Sequence, residues 1–244
     1  MNRYFIFFAY DGTRYHGWQV QPNAITVQQE LQRALSTLLR RDIETVGAGR
    51  TDTGVHARHM AAHFDWEGDP LDTAQTAYRL NRILPRDISV YEVRQVEADM
   101  HARFSATART YHYYIHTEKN PFCRQYSLQM HYPLDFERMN RAARLFLAHD
   151  DYAAFCKAGG DNKTTICHVS EARWIQTSPT TWYFRITANR FLRNMVRAVV
   201  GTLVEVGRGR LSEEEFADIL QHGSRSDAGE SMPGHALFLE EIRY

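Results

Sequence analysis

Apolar side chains recur at Val27, Leu31, Ala34, Leu35, Leu38 and Leu39, a spacing that draws one stripe along a helix. Thr26 stands where an N-cap belongs and Gln29 at the capping-box position, so the helix is predicted to run to about residue 40. A second helix is predicted from Leu71 to Leu84, ended by Pro85. The aromatic-rich run 3–10 reads as a strand, and so do 43–48, 58–65 and 88–96. Residues 11–24 form a glycine-rich, polar loop and 97–108 a crossover.

From residue 109 the pattern starts again. Strands are predicted near 109–117, 126–132, 166–177 and 181–188, and helices near 135–147, 192–206 and 212–221. The segment 236–244 reads as a closing strand. Strands and helices mix in both halves without regular βαβ alternation, which predicts an α+β fold with sheets covered by helices on one face. The pattern alone supports two successive α+β halves, 1–106 and 107–244.

A length of 244 residues with 43% apolar and 24% charged side chains fits a soluble globular protein with a real core. No apolar run approaches membrane-spanning length. The apolar start, Tyr4-Phe5-Ile6-Phe7-Phe8, runs into a turn without a small-residue cleavage site, so a strand and a cytoplasmic location are expected. Cys123, Cys156 and Cys167 lack CxxC spacing and read as free thiols. Formal net charge is zero, yet of the 29 basic residues only Lys119, Lys157 and Lys163 are lysine. The rest are arginine, whose planar fork suits phosphate and stacks on bases. A neutral chain binds RNA when such residues line one cleft.

The densest chemistry lies in Ala48-Gly49-Arg50-Thr51-Asp52-Thr53-Gly54-Val55-His56-Ala57. Strands are predicted on both sides, so Asp52 sits on a tight, glycine-flanked loop that two strands can hold. The local alternative is a plain turn aspartate. Three further strings stand out. They are Tyr10-Asp11-Gly12-Thr13-Arg14-Tyr15-His16-Gly17-Trp18-Gln19-Val20-Gln21-Pro22, Phe104-Ser105-Ala106-Thr107-Ala108-Arg109-Thr110-Tyr111-His112-Tyr113, and Phe191-Leu192-Arg193-Asn194-Met195-Val196-Arg197-Ala198-Val199-Val200-Gly201.

These four strings, in this order and across most of the chain, resemble the motifs of the TruA family of tRNA pseudouridine synthases. The resemblance implies two related halves around a mixed, mainly antiparallel sheet flanked by helices, with a central RNA-binding cleft. The 1–106 half would carry the catalytic loop and the 107–244 half would complete the cleft. It implies isomerisation of uridine at positions 38 to 40 of the tRNA anticodon stem-loop, by a homodimer, with no cofactor and no metal. Asp52 would be the catalytic carboxylate, acting as a nucleophile on ribose or base or as a base toward a sugar proton; the sequence leaves these routes open. Arg197 would keep Asp52 ionised. Arg50 would hold the flipped nucleotide or take its place in the stack. Tyr111 would stack on the uracil, and Leu237 would pack against it. Arg14, Arg103 and Arg109 are candidate phosphate contacts. The C-terminal string Ser224-Arg225-Ser226-Asp227-Ala228-Gly229-Glu230-Ser231-Met232-Pro233-Gly234-His235-Ala236-Leu237 departs from the family's commoner form, which has an early lysine and Ala-Pro-Ala with a glycine before the leucine.

Two rivals remain in view. His56, His59 and His63 with a nearby carboxylate are the residue types of a zinc site, but on an alternating strand His56 and His59 point to opposite faces. The alternative to an enzyme is a non-catalytic RNA-binding module or tRNA chaperone.

Overall fold

The structure is a computed structural model that describes residues 1–157, 159 and 163–244. The chain divides into two compact units, Met1–Thr107 with Phe238–Tyr244, and Ala108–Leu237. The sequence reading draws its halves as 1–106 and 107–244. The last seven residues differ: the sequence reading kept them in the second half, whereas the structure places them in the first unit.

In the first unit β1 (Asn2–Tyr10) lies between β3 (His56–Trp66) and β4 (Ile88–Val96), antiparallel to both. The short β2 (Val46–Gly47) pairs antiparallel with β3, and β9 (Leu237–Arg243) runs parallel to it through His56↔Phe238 and Ala57↔Leu239. The predicted 43–48 strand shrinks to β2 because its backbone is engaged elsewhere. The Ile43 N–H donates to Ser36 Oγ at 2.9 Å, and the Thr45 carbonyl accepts from Gln28 Nε2 at 2.7 Å, so α1 (Val27–Leu39) competes with the ladder. The Thr26 hydroxyl accepts from the Gln29 N–H, as an N-cap should. The second helix, α2 (Thr73–Ile83), starts at Asp72, whose carboxylate accepts from the Gln75 N–H at 2.9 Å, and it packs on β4. Leu84 is already extended, as the residue before Pro85 must be.

Strand β1 is buried on both faces. Tyr4 stacks on Phe64 on one side and Phe8 meets Trp18. On the other side Phe5 stacks on His63, and the C-terminal ring of Tyr244 meets Phe5 edge-on at 5.1 Å. Tyr244 also donates its hydroxyl to the Ala102 carbonyl at 2.8 Å, so the residue that follows β9 pins the 97–107 segment over this face.

In the second unit β8 (Thr181–Ala188) is antiparallel to both β5 (Ala108–His116) and β7 (Val169–Ser178). The strand expected over 126–132 reduces to β6 (Leu128–Gln129), parallel to β5, because the Tyr126 N–H is taken by a turn to Cys123. The mixed, mainly antiparallel α+β character matches expectation in each unit. Helix α3 (Phe136–Arg144) tightens into a 3-10 turn over Leu145–Ala148 and packs on β7, on α4 (Met195–Gly207) and on α5 (Glu213–His222). Helix α4 begins three residues later than its apolar pattern suggests, since Asn194 adopts a left-handed conformation with φ of 65°. Cys167 is buried, and burial pushes its thiol up to about 11, as for an inert packing cysteine.

The His63 ring is a strongly perturbed titratable group of the first unit's core. Its Nδ1 accepts from the Ala102 N–H at 3.1 Å. Burial lowers its pKa from 6.5 to about 4, helped by the charges of His101 and Arg3. Between those two values the unfolded chain binds the proton that the folded chain refuses. The stabilisation is therefore complete above pH 6.5 and is lost as pH falls towards 4. His63→Gln keeps an acceptor without a titrating ring, so its urea midpoint is expected to fall less steeply than wild type across that window. Equal slopes would show that His63 does not drive the acid limb.

Candidate active site

Asp52 lies, half-buried, in the 48–55 connection between β2 and β3. This connection is built by backbone bonds. The Ala48 N–H donates to the Ala61 carbonyl at 2.8 Å, and the Val55 N–H closes a turn onto the Asp52 carbonyl at 3.1 Å. The 11–24 loop supplies the rest. The Trp18 N–H donates to the Thr51 carbonyl and the Gly54 N–H to the Tyr15 carbonyl, while from the end of β1 the Tyr10 hydroxyl bonds that of Thr51 at 2.8 Å. The second sequence motif therefore buttresses the first.

Two glycines make that approach possible. A Cβ on Gly12 would stand 2.0 Å from the Val55 carbonyl oxygen. A Cβ on Gly17 would stand 2.2 Å from that of Thr51, and Gly17 has a φ of +88° besides. His56 locks the same corner from β3. It is 1% exposed, accepts the Gly12 N–H on Nδ1 at 2.9 Å, and stacks on Phe238 at 4.5 Å. Sequence reasoning treated His56 only as a possible metal ligand and gave Gly12 and Gly17 no role. The signal was present: three residues without interchangeable substitutes stand in the two strings nearest Asp52.

Arg50 is exposed at the edge of the same loop. Arg14, a candidate phosphate contact, forms a 2.7 Å bond from Nε to Asp87, which also accepts from the Tyr15 hydroxyl at 2.6 Å. Its charge is already matched and it ties the 11–24 loop to the start of β4. Arg103 is exposed, with its guanidinium 5.5 Å from the centre of the Phe104 ring. Arg109 departs from expectation. It is buried on β5 and donates from Nη1 to the Asn189 carbonyl at 2.7 Å, the placement of an internal strut rather than of a phosphate contact.

In the second unit Tyr111 is buried on β5 with Phe191 edge-on at 5.1 Å. Arg197, half-buried on α4, donates from Nε to the Met232 carbonyl, and the Met232 N–H returns a bond to the Arg197 carbonyl at 3.1 Å. Tyr113 donates its hydroxyl to Pro233, and its phenol is raised by burial. The atypical C-terminal string is held by Arg225, which donates to the Gly229 carbonyl at 3.0 Å and to Ser231 Oγ at 2.8 Å. Gly201 lets it lie against α4, since a Cβ there would meet the Glu230 carbonyl oxygen at 1.8 Å. Leu237, 5% exposed, follows this string at the start of β9. The structure thus gives Arg197 a support, the 224–233 segment, whose bracing residue Arg225 was not singled out in the sequence.

His56 and His63 each use Nδ1 to accept a backbone N–H, so both rings are accounted for by structural bonds. Among the described residues there is no group of three histidine, cysteine, aspartate or glutamate side chains able to hold a metal ion.

A family model described as tRNA pseudouridine synthase matches residues 6–105 and 142–244. The chain is 57% identical to the tRNA pseudouridine synthase A of Bacteroides fragilis, over 100% of this chain and 97% of that one. It is 58% identical to that of Bacteroides thetaiotaomicron, over 100% and 91%. It is 40% identical to that of a Thermoanaerobacter species, over the full length of both.

The buttress has a direct test. Gly17→Ala is expected to lower folding stability by about 1–3 kcal/mol, through left-handed strain and the clash with Thr51. At Gly49 a Cβ meets no atom within 4 Å, so Gly49→Ala should stay within about 0.5 kcal/mol of wild type in the same urea titration. Equal effects would show that the 11–24 loop does not brace the Asp52 loop.

Proposed function

The chain belongs to the tRNA pseudouridine synthase family, and we propose that it isomerises uridine to pseudouridine in the anticodon stem-loop of tRNA, with Asp52 as the catalytic carboxylate. In this reaction the C1′–N1 glycosidic bond breaks, the uracil turns, and a new bond forms between C1′ and C5. The C5 hydrogen leaves as a proton and N1 gains one, so substrate and product are isomers. No electrons or groups are exchanged with a second molecule, and the chemistry asks for no cofactor.

The observation that carries this reading is the construction of the Asp52 loop. A carboxylate on a turn fixed from two sides by backbone bonds keeps its position when a substrate arrives. It then serves as nucleophile or base at one face of a uridine. Arg50 is exposed two residues away, and the reading assigns it to a nucleotide that has left its stack. The roles of Tyr111 and Leu237 against the uracil, and of Arg197 toward the carboxylate, rest on the family motifs. So does action as a homodimer. A cytoplasmic location is inferred from the substrate, and no helix of the described residues is long and apolar enough to cross a membrane.

Tritium release from C5-labelled uridine in an unmodified tRNA transcript, without added metal or nucleotide, tests the reading. Wild type is expected to release tritium. Asp52→Asn should bind tRNA and lose on the order of a thousandfold in rate, since the isostere lacks charge and basicity. Full activity in that variant would remove Asp52 from the mechanism, and tight binding without release by wild type would favour a binding module. In the same assay Tyr111→Phe should lose less than Tyr111→Leu, because a phenyl ring still stacks; equal losses would assign the effect to the hydroxyl.

A further inference from the structure

Phe104 is 75% exposed on a turn that is otherwise held with unusual care. A lone exposed phenylalanine signifies little. Here, however, the turn beneath it is tied at every residue. Ser105 and His101 exchange two bonds, from the Ser105 N–H to the His101 carbonyl and from the His101 N–H to Ser105 Oγ, both at 2.9 Å. The His101 Nδ1 also receives the N–H groups of Arg103 and Phe104, at 3.0 and 3.2 Å. The Ala102 N–H goes to His63 and the Ala102 carbonyl to the Tyr244 hydroxyl. Arg3, forked onto Asp65, donates its remaining Nη1 to the Met100 carbonyl at 3.0 Å. The fold spends three side chains from β1, β3 and the C-terminus on a turn whose own apolar ring faces outward. That ring has the His101 imidazole at 4.4 Å and the Arg103 guanidinium at 5.5 Å.

We propose that Phe104, with Arg103 beside it, is a stacking platform for an unpaired nucleobase of the RNA substrate, separate from the site at Asp52. Stacking on a preset aromatic ring accepts any base and demands only that the base be unpaired. The flanking guanidinium suits the phosphate attached to that base. A single ring with one cation offers far less area than a protein partner needs. The platform lies at the His63 end of β3, while Asp52 precedes His56 at the other end. His56 and His63 stand seven residues apart on β3, about 23 Å of strand. The base engaged is therefore not the reacting uridine, and the platform contributes grip rather than chemistry.

The inference rests on the reading of this chain as an enzyme acting on tRNA, and the test separates the two. Binding of an unmodified tRNA transcript is measured at several salt concentrations for wild type, Phe104→Ala, Phe104→Trp and Arg103→Ala, alongside single-turnover tritium release at saturating enzyme. Phe104→Ala should weaken binding about tenfold without changing the salt slope, melting temperature or saturating rate. Phe104→Trp should bind within about threefold of wild type. Arg103→Ala should reduce the salt slope by about one. Unchanged affinity in Phe104→Ala, with wild type binding and reacting normally, overturns this inference alone. So does a Phe104→Ala variant that changes oligomeric state by sedimentation, since the ring would then belong to an interface between copies of this chain. Failure of wild type to release tritium overturns the functional reading and this inference with it.

Discussion

The approach of two backbones at Gly12 and Gly17 is the constraint on which the rest of the site depends. Here the 11–24 loop comes so close to the 48–55 loop that no side chain fits between them. The contact lets main-chain donors of one loop satisfy main-chain acceptors of the other, and it fixes the turn that carries Asp52. Loops are ordinarily the mobile parts of a fold. This one is held because its hydrogen bonds go to another backbone rather than to water. His56 extends the arrangement, since a buried imidazole that accepts the Gly12 N–H ties the loop to the central strand and stacks on β9.

The same economy appears elsewhere in each unit. Tyr244, the last residue, fills the open face of β1 and holds the Ala102 carbonyl, so the first unit is finished only when the final strand joins it. In the second unit Gly201 and Arg225 bind the 224–233 segment to α4, and that segment in turn holds the Arg197 guanidinium. Residues outside the candidate set thus fix where the candidate residues stand. This is the general condition for a preorganised site.

Legibility in the sequence followed the range of the interactions. The helix over 27–39 and the strand over 181–188 could be read because their side-chain period and their ends are local matters. The short β2 could not, because its flanking backbone is claimed by Gln28 and Ser36, side chains from a helix rather than from a strand partner. Arg109 lies in a matching motif and reads like its exposed neighbours, yet it is buried against Asn189, eighty residues away in sequence. Nothing in its local string distinguishes a strut from a phosphate contact.

The sequence by itself determined the class of elements, their order and the family. Each of these is written in residue type and spacing, which survive without coordinates. The tertiary structure decided which unit the last strand completes, which arginines are already matched by a carboxylate or carbonyl, and why Gly12, Gly17 and His56 surround Asp52. Those are statements about backbones meeting across long separations in the chain, and a period or a motif records only what lies within a few residues of itself.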